Sequence, residues 1–481
     1  MQIPDVWKMG YTGKNVVVTI IDDGVDYRHP DLIDNYLPEV SINFVENNYD
    51  PRPPLNSKIS NDHGTNCAGL IAMKANNSIC GVGVAFEAKF GAIRLVGGEV
   101  TSLEESKAFS YNVNKTDIFS SSWGPPDDGK TLETVHSLVE EAISNGVMYG
   151  RKKKGSIFIF ASGNGGIKND SCTMDGLASH VFTFPVSAVG PSFQRPSYSE
   201  KCSTALISTF SNSKYERDEK ESLLSTGIFN KCDLKSVGTS ASAPLFAGIV
   251  ALVLEARNNL TWRDLKYITI LTANPIPMIL ESNNNWIING AGFLHNPYFG
   301  FGLANAKDMV TEGILWEHVP GLNECQIKFQ NFEPQKWEKN TLLQGSFYFS
   351  ACSDTGNKII VAEYIQLKIT TQNVKRGSIQ LWLNSPSNTQ LQLIYERNLD
   401  NSTHINNYAF NSVAIFGENP EGIWNIEIAD SSGEGVLKDI TFSVFGTTKK
   451  SKYLETKKKY GLSDIHKYLK QDKRNFEFKN Y

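Results

Sequence analysis

Four short apolar runs, at residues 15–22, 89–96, 117–121 and 156–161, alternate with helix-period segments at 64–76, 102–113 and 131–148. Uninterrupted apolar runs are how strands covered on both faces read, and strands alternating with helices predict a doubly wound parallel α/β sheet. Ligands of such sheets sit beyond the carboxyl ends of the strands. Polar residues cluster there: Asp22 and Asp23 after the first run, Ser122-Trp123-Gly124 after the third, and Ser162-Gly163-Asn164-Gly165 after the fourth. Helical patterns at 243–258 and 261–272 complete this domain.

The small-residue stretch Gly238-Thr239-Ser240-Ala241-Ser242-Ala243-Pro244 opens the first of these last two helices. It places Ser240 where unpaired N–H groups and the positive end of the helix dipole point outward, a good seat for a nucleophile. Pro244 is read as part of a first turn, which has no N–H bond to lose. A serine is a weak nucleophile until a base takes its proton, a carboxylate orients the base and donors await the oxyanion. All four parts are present: Asp22 to orient, His63 as base, Ser240 to attack, and the Asn164 amide with the Ser240 N–H for the oxyanion. Each alone is an ordinary cap or turn former. Their chain order, Asp then His then Ser, at strand ends and helix starts, is that of subtilisin-type triads.

Length and charge bound the rest. A chain of 481 residues exceeds what one core supports, so two domains and a tail are expected. Beyond about Gly313, alternating segments at 364–370, 378–383 and 424–428, separated by turn clusters, read as an all-β sandwich. The expected division is 1–313, 314–447 and a disordered basic tail at 448–481. From Lys449 onward there are 11 Lys+Arg against 4 Asp+Glu, a net of +7. The first 448 residues therefore carry −11 of the total −4, which suits a cationic substrate and excludes nucleic acid as the expected partner. No apolar run of about 18 residues is evident, so no membrane segment is expected.

Seven cysteines without CxxC spacing argue against zinc and permit three bridges plus one free thiol. With sequons at Asn76, Asn114, Asn169, Asn259 and Asn401, they tilt the reading to the secretory pathway.

Ile21-Asp22-Asp23-Gly24, His63-Gly64-Thr65-Asn66-Cys67-Ala68-Gly69, Ser122-Trp123-Gly124-Pro125, Ala161-Ser162-Gly163-Asn164-Gly165-Gly166 and the Gly238–Pro244 stretch resemble the signature blocks of kexin- and furin-like proprotein convertases. These are calcium-dependent serine endoproteases that cut after paired basic residues. The resemblance runs from about Val6 to Gly446 and includes their jelly-roll P domain, through Lys375-Arg376-Gly377-Ser378 and Glu421-Gly422-Ile423-Trp424. It implies pairing of Cys80 with Cys232, Cys172 with Cys202 and Cys325 with Cys352. Cys67 is then free beside His63, where it would explain sensitivity to thiol reagents.

For specificity, the resemblance implies that Asp127 and Asp175 line the pocket for a P1 arginine, that Asp23 faces P2, and that Glu105 and Glu133 face P4. Ser122, Trp123 and Gly124 would pair with substrate backbone as an added strand. It implies one Ca²⁺ site from Asp127, Asp170 and Glu200 behind the P1 pocket, and a second from Asp31, Asn77 and carbonyls around Ile79. Asn48 and Asp50 are candidates for a third. Clustered carboxylates repel, and a bound Ca²⁺ removes that penalty.

Departures from the pattern carry expectations too. The family's signal peptide, inhibitory prosegment and N-terminal mature segment are not in this chain, nor is a membrane anchor. Ser60-Asn61-Asp62 stand where relatives often carry acids before the catalytic His, and Leu177 where an aromatic is common. The expectation is a monomeric, calcium-dependent processing endoprotease acting on proteins with basic cleavage sites. The rivals are a broad-specificity degradative subtilase, disfavoured by the acidic P1 wall, and a catalytically silent binding protein, disfavoured by the intact triad.

Overall fold

The computed structural model describes residues 1–54, 62–214, 221–282, 285–329 and 332–455. Ser60, Asn61 and the tail from residue 456 lie outside them. A seven-stranded parallel sheet forms the first domain: β1 (Val17–Asp22), β2 (Ile42–Asn43), β3 (Lys89–Arg94), β4 (Ile118–Ser121), β5 (Ile157–Ala161), β6 (Thr183–Val189) and β7 (Ile207–Phe210), in the order β2-β3-β1-β4-β5-β6-β7. Sequence order reverses between β1 and β4, which opens a crevice beyond their carboxyl ends. Helices His63–Ala72, Ser102–Ser110, Ser137–Lys153, Thr239–Ala256 and Trp262–Thr272 accompany the sheet.

Strands β6 and β7 are absent from the sequence reading. Pro185 argues against a strand over 183–189, yet it sits in register with Phe160 and its carbonyl accepts from Leu206 N. The helix expected from 131 begins only at Ser137, because Glu133 instead forms a parallel bridge with Asp175. Thr239–Ala256 is long and apolar enough to cross a membrane, but it runs buried through the core of this domain.

Two short hairpin sheets, Leu223–Thr226 with Cys232–Ser236 and Ile287–Ile288 with Leu294–His295, stand apart, and the strands from Asn323 onward build an antiparallel sandwich. One sheet contains Asn323–Lys328, Gly435–Thr447, Val361–Asn373 and His404–Ser412 in that order; the other contains Leu342–Phe349, Gly422–Asp430, Ile379–Asn384 and Gln390–Ile394. Alternating Ile, Leu and Phe of both sheets meet in a second core. The two domains are joined by a buried cluster in which Glu363 pairs with Arg263 and accepts from Tyr267 at 3.0 Å. In the described part of the predicted tail, Lys452–Glu455 is a short helix, and Tyr453 stacks on Trp316.

Candidate active site

Strand β1 delivers Asp22, 2 % exposed, whose Oδ1 lies 2.7 Å from His63 Nδ1. His63 opens its helix, and Asp23 caps that helix from outside: Oδ1 accepts from Gly64 N at 2.8 Å and Oδ2 from His63 N at 3.4 Å. A Cβ at Gly64 would overlap the Gly24 carbonyl, so glycine is what lets the helix dock on the end of β1. Burial, then the Asp22 charge, raises Asp23 to about 7 despite these two backbone bonds.

Ser240 stands in the first turn of the helix, which starts at Thr239 and not at 243. Pro244 consequently lies inside the second turn, where it removes the N–H that would have bonded to the Ser240 carbonyl. That freed carbonyl accepts from Ser122 Oγ at 3.0 Å and Cys67 Sγ at 3.6 Å. Ser240 Oγ itself donates to the Ser122 carbonyl at 3.2 Å. The Asn164 Oδ1 accepts from Thr239 N at 2.8 Å and Thr239 Oγ1 at 3.0 Å, which fixes the amide and leaves its NH₂ as the donor. Gly238, at φ 77°, is needed here because a Cβ would come within 2.8 Å of Asn164 Oδ1. The sequence reading marks the stretch that contains Thr239 and Pro244 but assigns neither residue its task here.

Ser240 and Asn164 border two cavities, of about 250 Å³ and 220 Å³. The smaller holds Asp62, His63, Cys67 and Leu70. Asp22, His63 and Cys67 lie close enough to share a metal, but His63 Nδ1 is already engaged by Asp22. Burial, then Asp22, pushes the Cys67 thiol up, so it stays protonated; the expected thiol sensitivity has no support in this environment. Burial alone would lower His63, yet Asp22, Asp23 and Asp62 together push it up to about 9 from 6.5. A base must be neutral, so kcat/KM for this chain is expected to rise with pH along an acid limb well above 6.5. Asp23→Asn, which keeps an acceptor for Gly64 N, should move that limb to lower pH; an unmoved limb in a pH–rate profile would separate Asp23 from the histidine's field.

The larger cavity is acidic. Ser122, Trp123, Gly124, Asp127, Asp170, Asp175 and Glu200 line it. Asp175 Oδ1 accepts from Leu177 N and Ala178 N, both at 2.9 Å, and Oδ2 lies 2.8 Å from where a Cβ on Gly124 would be. Burial, then Glu133 and Asp127, raises Asp175 to about 7. Burial and the Glu133 charge raise Glu105, in the first turn of Ser102–Ser110, to about 7, and burial raises Glu133.

Two groups fit Ca²⁺ by donor chemistry. Asp127, Asp170 and Glu200 offer only carboxylate oxygens; burial, then Asp170 and Asp127, drives Glu200 well up, and Cβ atoms at Gly163 or Gly165 would invade the space. Asp31 is buried with Oδ2 unpartnered among the described residues; Asn77 turns Nδ2 to its Oδ1 at 2.6 Å and its own Oδ1 accepts from Ile79 N, so a cation there would need the Asn77 amide to turn over. The third candidate does not fit. Asp50 is held by Arg52 through Nε at 2.9 and 3.0 Å, and Asn48 Oδ1 accepts from Asp50 N, so an arginine already supplies the charge.

A subtilase family profile matches residues 13–302. The chain belongs to the subtilase family. A proprotein convertase P-domain profile matches residues 362–444 of this subtilase. It is 38 % identical over 457 residues to proprotein convertase subtilisin/kexin type 6 of Rattus norvegicus, covering 93 % of this chain and 48 % of that one. It is 40 % identical over 452 residues to furin-like protease 1 of Drosophila melanogaster, covering 93 % and 35 %. The chain thus spans about half or less of the length of these relatives. The solved serine protease of Aeromonas sobria shares the fold, with TM-score 0.76 and 19 % identity over 91 % of this chain and 89 % of that one. Disulfides join Cys80 to Cys232, Cys172 to Cys202 and Cys325 to Cys352, as the resemblance implied, and Cys67 is free and buried.

Proposed function

We propose that this subtilase is a serine endoprotease of the secretory pathway that processes precursor proteins after basic residues. The observation that carries the reading is a paired Asp22 and His63 beside a serine and an amide that border two cavities, one of them walled by carboxyls. On substrate binding, Ser240 Oγ turns from the Ser122 carbonyl and gives its proton to His63 Nε2 as it attacks the scissile carbonyl. The Ser240 N–H and Asn164 Nδ2 hold the oxyanion. His63 then protonates the leaving amine, and water repeats the sequence to release the acid. The Asp22 carboxylate keeps the ring in the tautomer that leaves Nε2 free.

Asp175 and Asp127 are assigned to a P1 arginine, Glu105 and Glu133 to P4, and the backbone of Ser122, Trp123 and Gly124 to pairing with the substrate strand. Asp127, Asp170 and Glu200 would hold one Ca²⁺, and Asp31 with Asn77 a second; bound calcium supplies the charge that lets these carboxylates stay together ionised. Three disulfides suit an oxidising compartment. At P2, Asp23 is the one acid kept from the family's pattern while Ser60 and Asn61 are neutral, so selectivity there is expected to be weak unless Asp62, on the smaller cavity, completes the site.

Fluorogenic peptides differing at one position test the whole reading. With P1 Arg fixed, exchanging P2 Lys for Ala is expected to cost less than about tenfold in kcat/KM, or roughly 1.4 kcal/mol. Prolonged excess chelator should abolish cleavage. Equal cleavage after P1 Arg and P1 Ala would make the chain a broad degradative subtilase, and full activity in chelator would remove calcium from the account.

A further inference from the structure

The loops that carry the acids of the larger cavity are held from behind by the second domain. Arg376 Nη2 donates to the Lys130 carbonyl at 2.8 Å, Tyr408 Oη to the Thr173 carbonyl at 2.9 Å and Asn411 Nδ2 to the Ser179 carbonyl at 3.0 Å. The Met174 side chain packs into the second domain's core. One contact differs in kind. Arg397, fully buried, puts its guanidinium 3.5 Å from Asp170 Oδ1 on one side and 3.5 Å from Asp400 Oδ2 on the other. None of its three guanidinium nitrogens has a hydrogen-bond partner among the described residues. Asp400 is already engaged by Arg376 Nε at 2.7 Å.

A buried cation with its donors unspent is costly unless its charge is used. The second domain's own backbone sets where it lies: Arg397 N donates to the Gly377 carbonyl at 2.7 Å, Gly377 N to the Asp400 carbonyl at 3.0 Å, and a Cβ on Gly377 would overlap the Arg397 carbonyl. The guanidinium is therefore brought to Asp170 by the sandwich and is not gathered there by the acids it faces.

We propose that Arg397 is a positioning residue that serves as a resident counter-charge for the Asp127, Asp170 and Glu200 cluster, steadying Asp170 when no divalent cation is bound and competing with that cation for the same negative charge. The inference rests on reading the cluster as a cation site. Its sign is unusual for a residue beside a metal. Removing Arg397 harms the cation-free protein more than the loaded one, and by linkage a ligand then binds more tightly to what remains. A residue that merely packs there would lower both states alike.

The test uses the full chain in a Ser240→Ala background, which prevents self-digestion, with calcium titrated by calorimetry and Tm measured in chelator and in calcium. Arg397→Met is expected to tighten calcium binding at least about fivefold, since two like charges a few ångströms apart in a poorly solvated site repel by on the order of 1 kcal/mol or more. Its loss of Tm should be larger in chelator than in calcium, and Arg397→Lys, which keeps the charge, should lie near the parent. Asp400→Asn gives a second reading without touching Arg397: the cation's full weight then falls on Asp170, and calcium binding weakens. Equal Tm losses with unchanged affinity in Arg397→Met, or unchanged affinity in Asp400→Asn, overturn the proposal. If Asp170→Asn and its parent titrate alike with calcium, the cluster is no calcium site, and the inference falls with that reading and not by itself.

Discussion

Ser240→Ala is expected to lower kcat by about 10⁵- to 10⁶-fold, the scale on which loss of a triad serine removes catalysis, while the protein stays folded. The hydroxyl makes one neutral hydrogen bond, to the Ser122 carbonyl, worth about 1 kcal/mol. The groups that hold this turn in place do not involve it: the Ser240 carbonyl keeps Ser122 Oγ and Cys67 Sγ, and Asn164 stays anchored on Thr239. Tm should therefore move by only a few degrees. Labelling by a fluorophosphonate probe should vanish together with peptide hydrolysis. A mutant that cleaves and labels like the parent places the nucleophile elsewhere. Asn164→Ala should fall between the two, at about 10²- to 10³-fold in kcat, because it removes one oxyanion donor and leaves the nucleophile intact.

The parts legible in the sequence were those that chemistry writes in residue type. Asp22, His63, Asn164 and Ser240 stood out because serine catalysis calls for those side chain types at strand ends and helix starts; the structure pairs Asp22 with His63 and puts His63, Asn164 and Ser240 on one cavity. Strands β1, β3, β4 and β5 were legible as apolar runs; β6 was not, because Pro185 contradicts the local pattern and tertiary pairing overrides it. The two-residue β2 has no pattern to read. Pro244 was misplaced because its role depends on where the helix starts, and Thr239, a poor helix former, gives no sign that the helix already includes it. Asp23 and Asp50 were legible as acids, but their partners were not: the first N–H groups of the His63 helix and the Arg52 guanidinium are brought to them by geometry alone. Arg397 lies 227 positions from Asp170 in a loop of a different domain, a separation over which one sequence carries no signal.

Asp175→Asn should lower the preference for P1 Arg over an uncharged P1 residue by about 10- to 100-fold, since a charge-assisted hydrogen bond contributes roughly 1.5–3 kcal/mol. The exchange is mild for the fold: Asp175 Oδ1 accepts from Leu177 N and Ala178 N, and an asparagine carbonyl oxygen can keep both bonds. What it removes is the charge on Oδ2, the oxygen that lies against the Gly124 floor of the cavity. The effect should carry a pH signature. In the substrate-free protein, burial with the Glu133 and Asp127 charges raises Asp175 to about 7, so the carboxylate proposed to meet a P1 arginine is present above that pH and lost below it. Selectivity of the parent for P1 Arg should then fall as pH drops through 7, whereas the asparagine variant, with nothing to titrate at that position, should show a low and flatter selectivity across the same range. A bound arginine or a nearby cation pulls the carboxyl back toward its ordinary range, so the drop should be steeper when substrate is below KM than at saturation. Rates for paired peptides with P1 Arg and P1 Gln, measured across that range, decide it. A variant that keeps the parent's arginine preference at every pH means that Asp127, not Asp175, meets the substrate's guanidinium, and that Asp175 serves only to close its own turn.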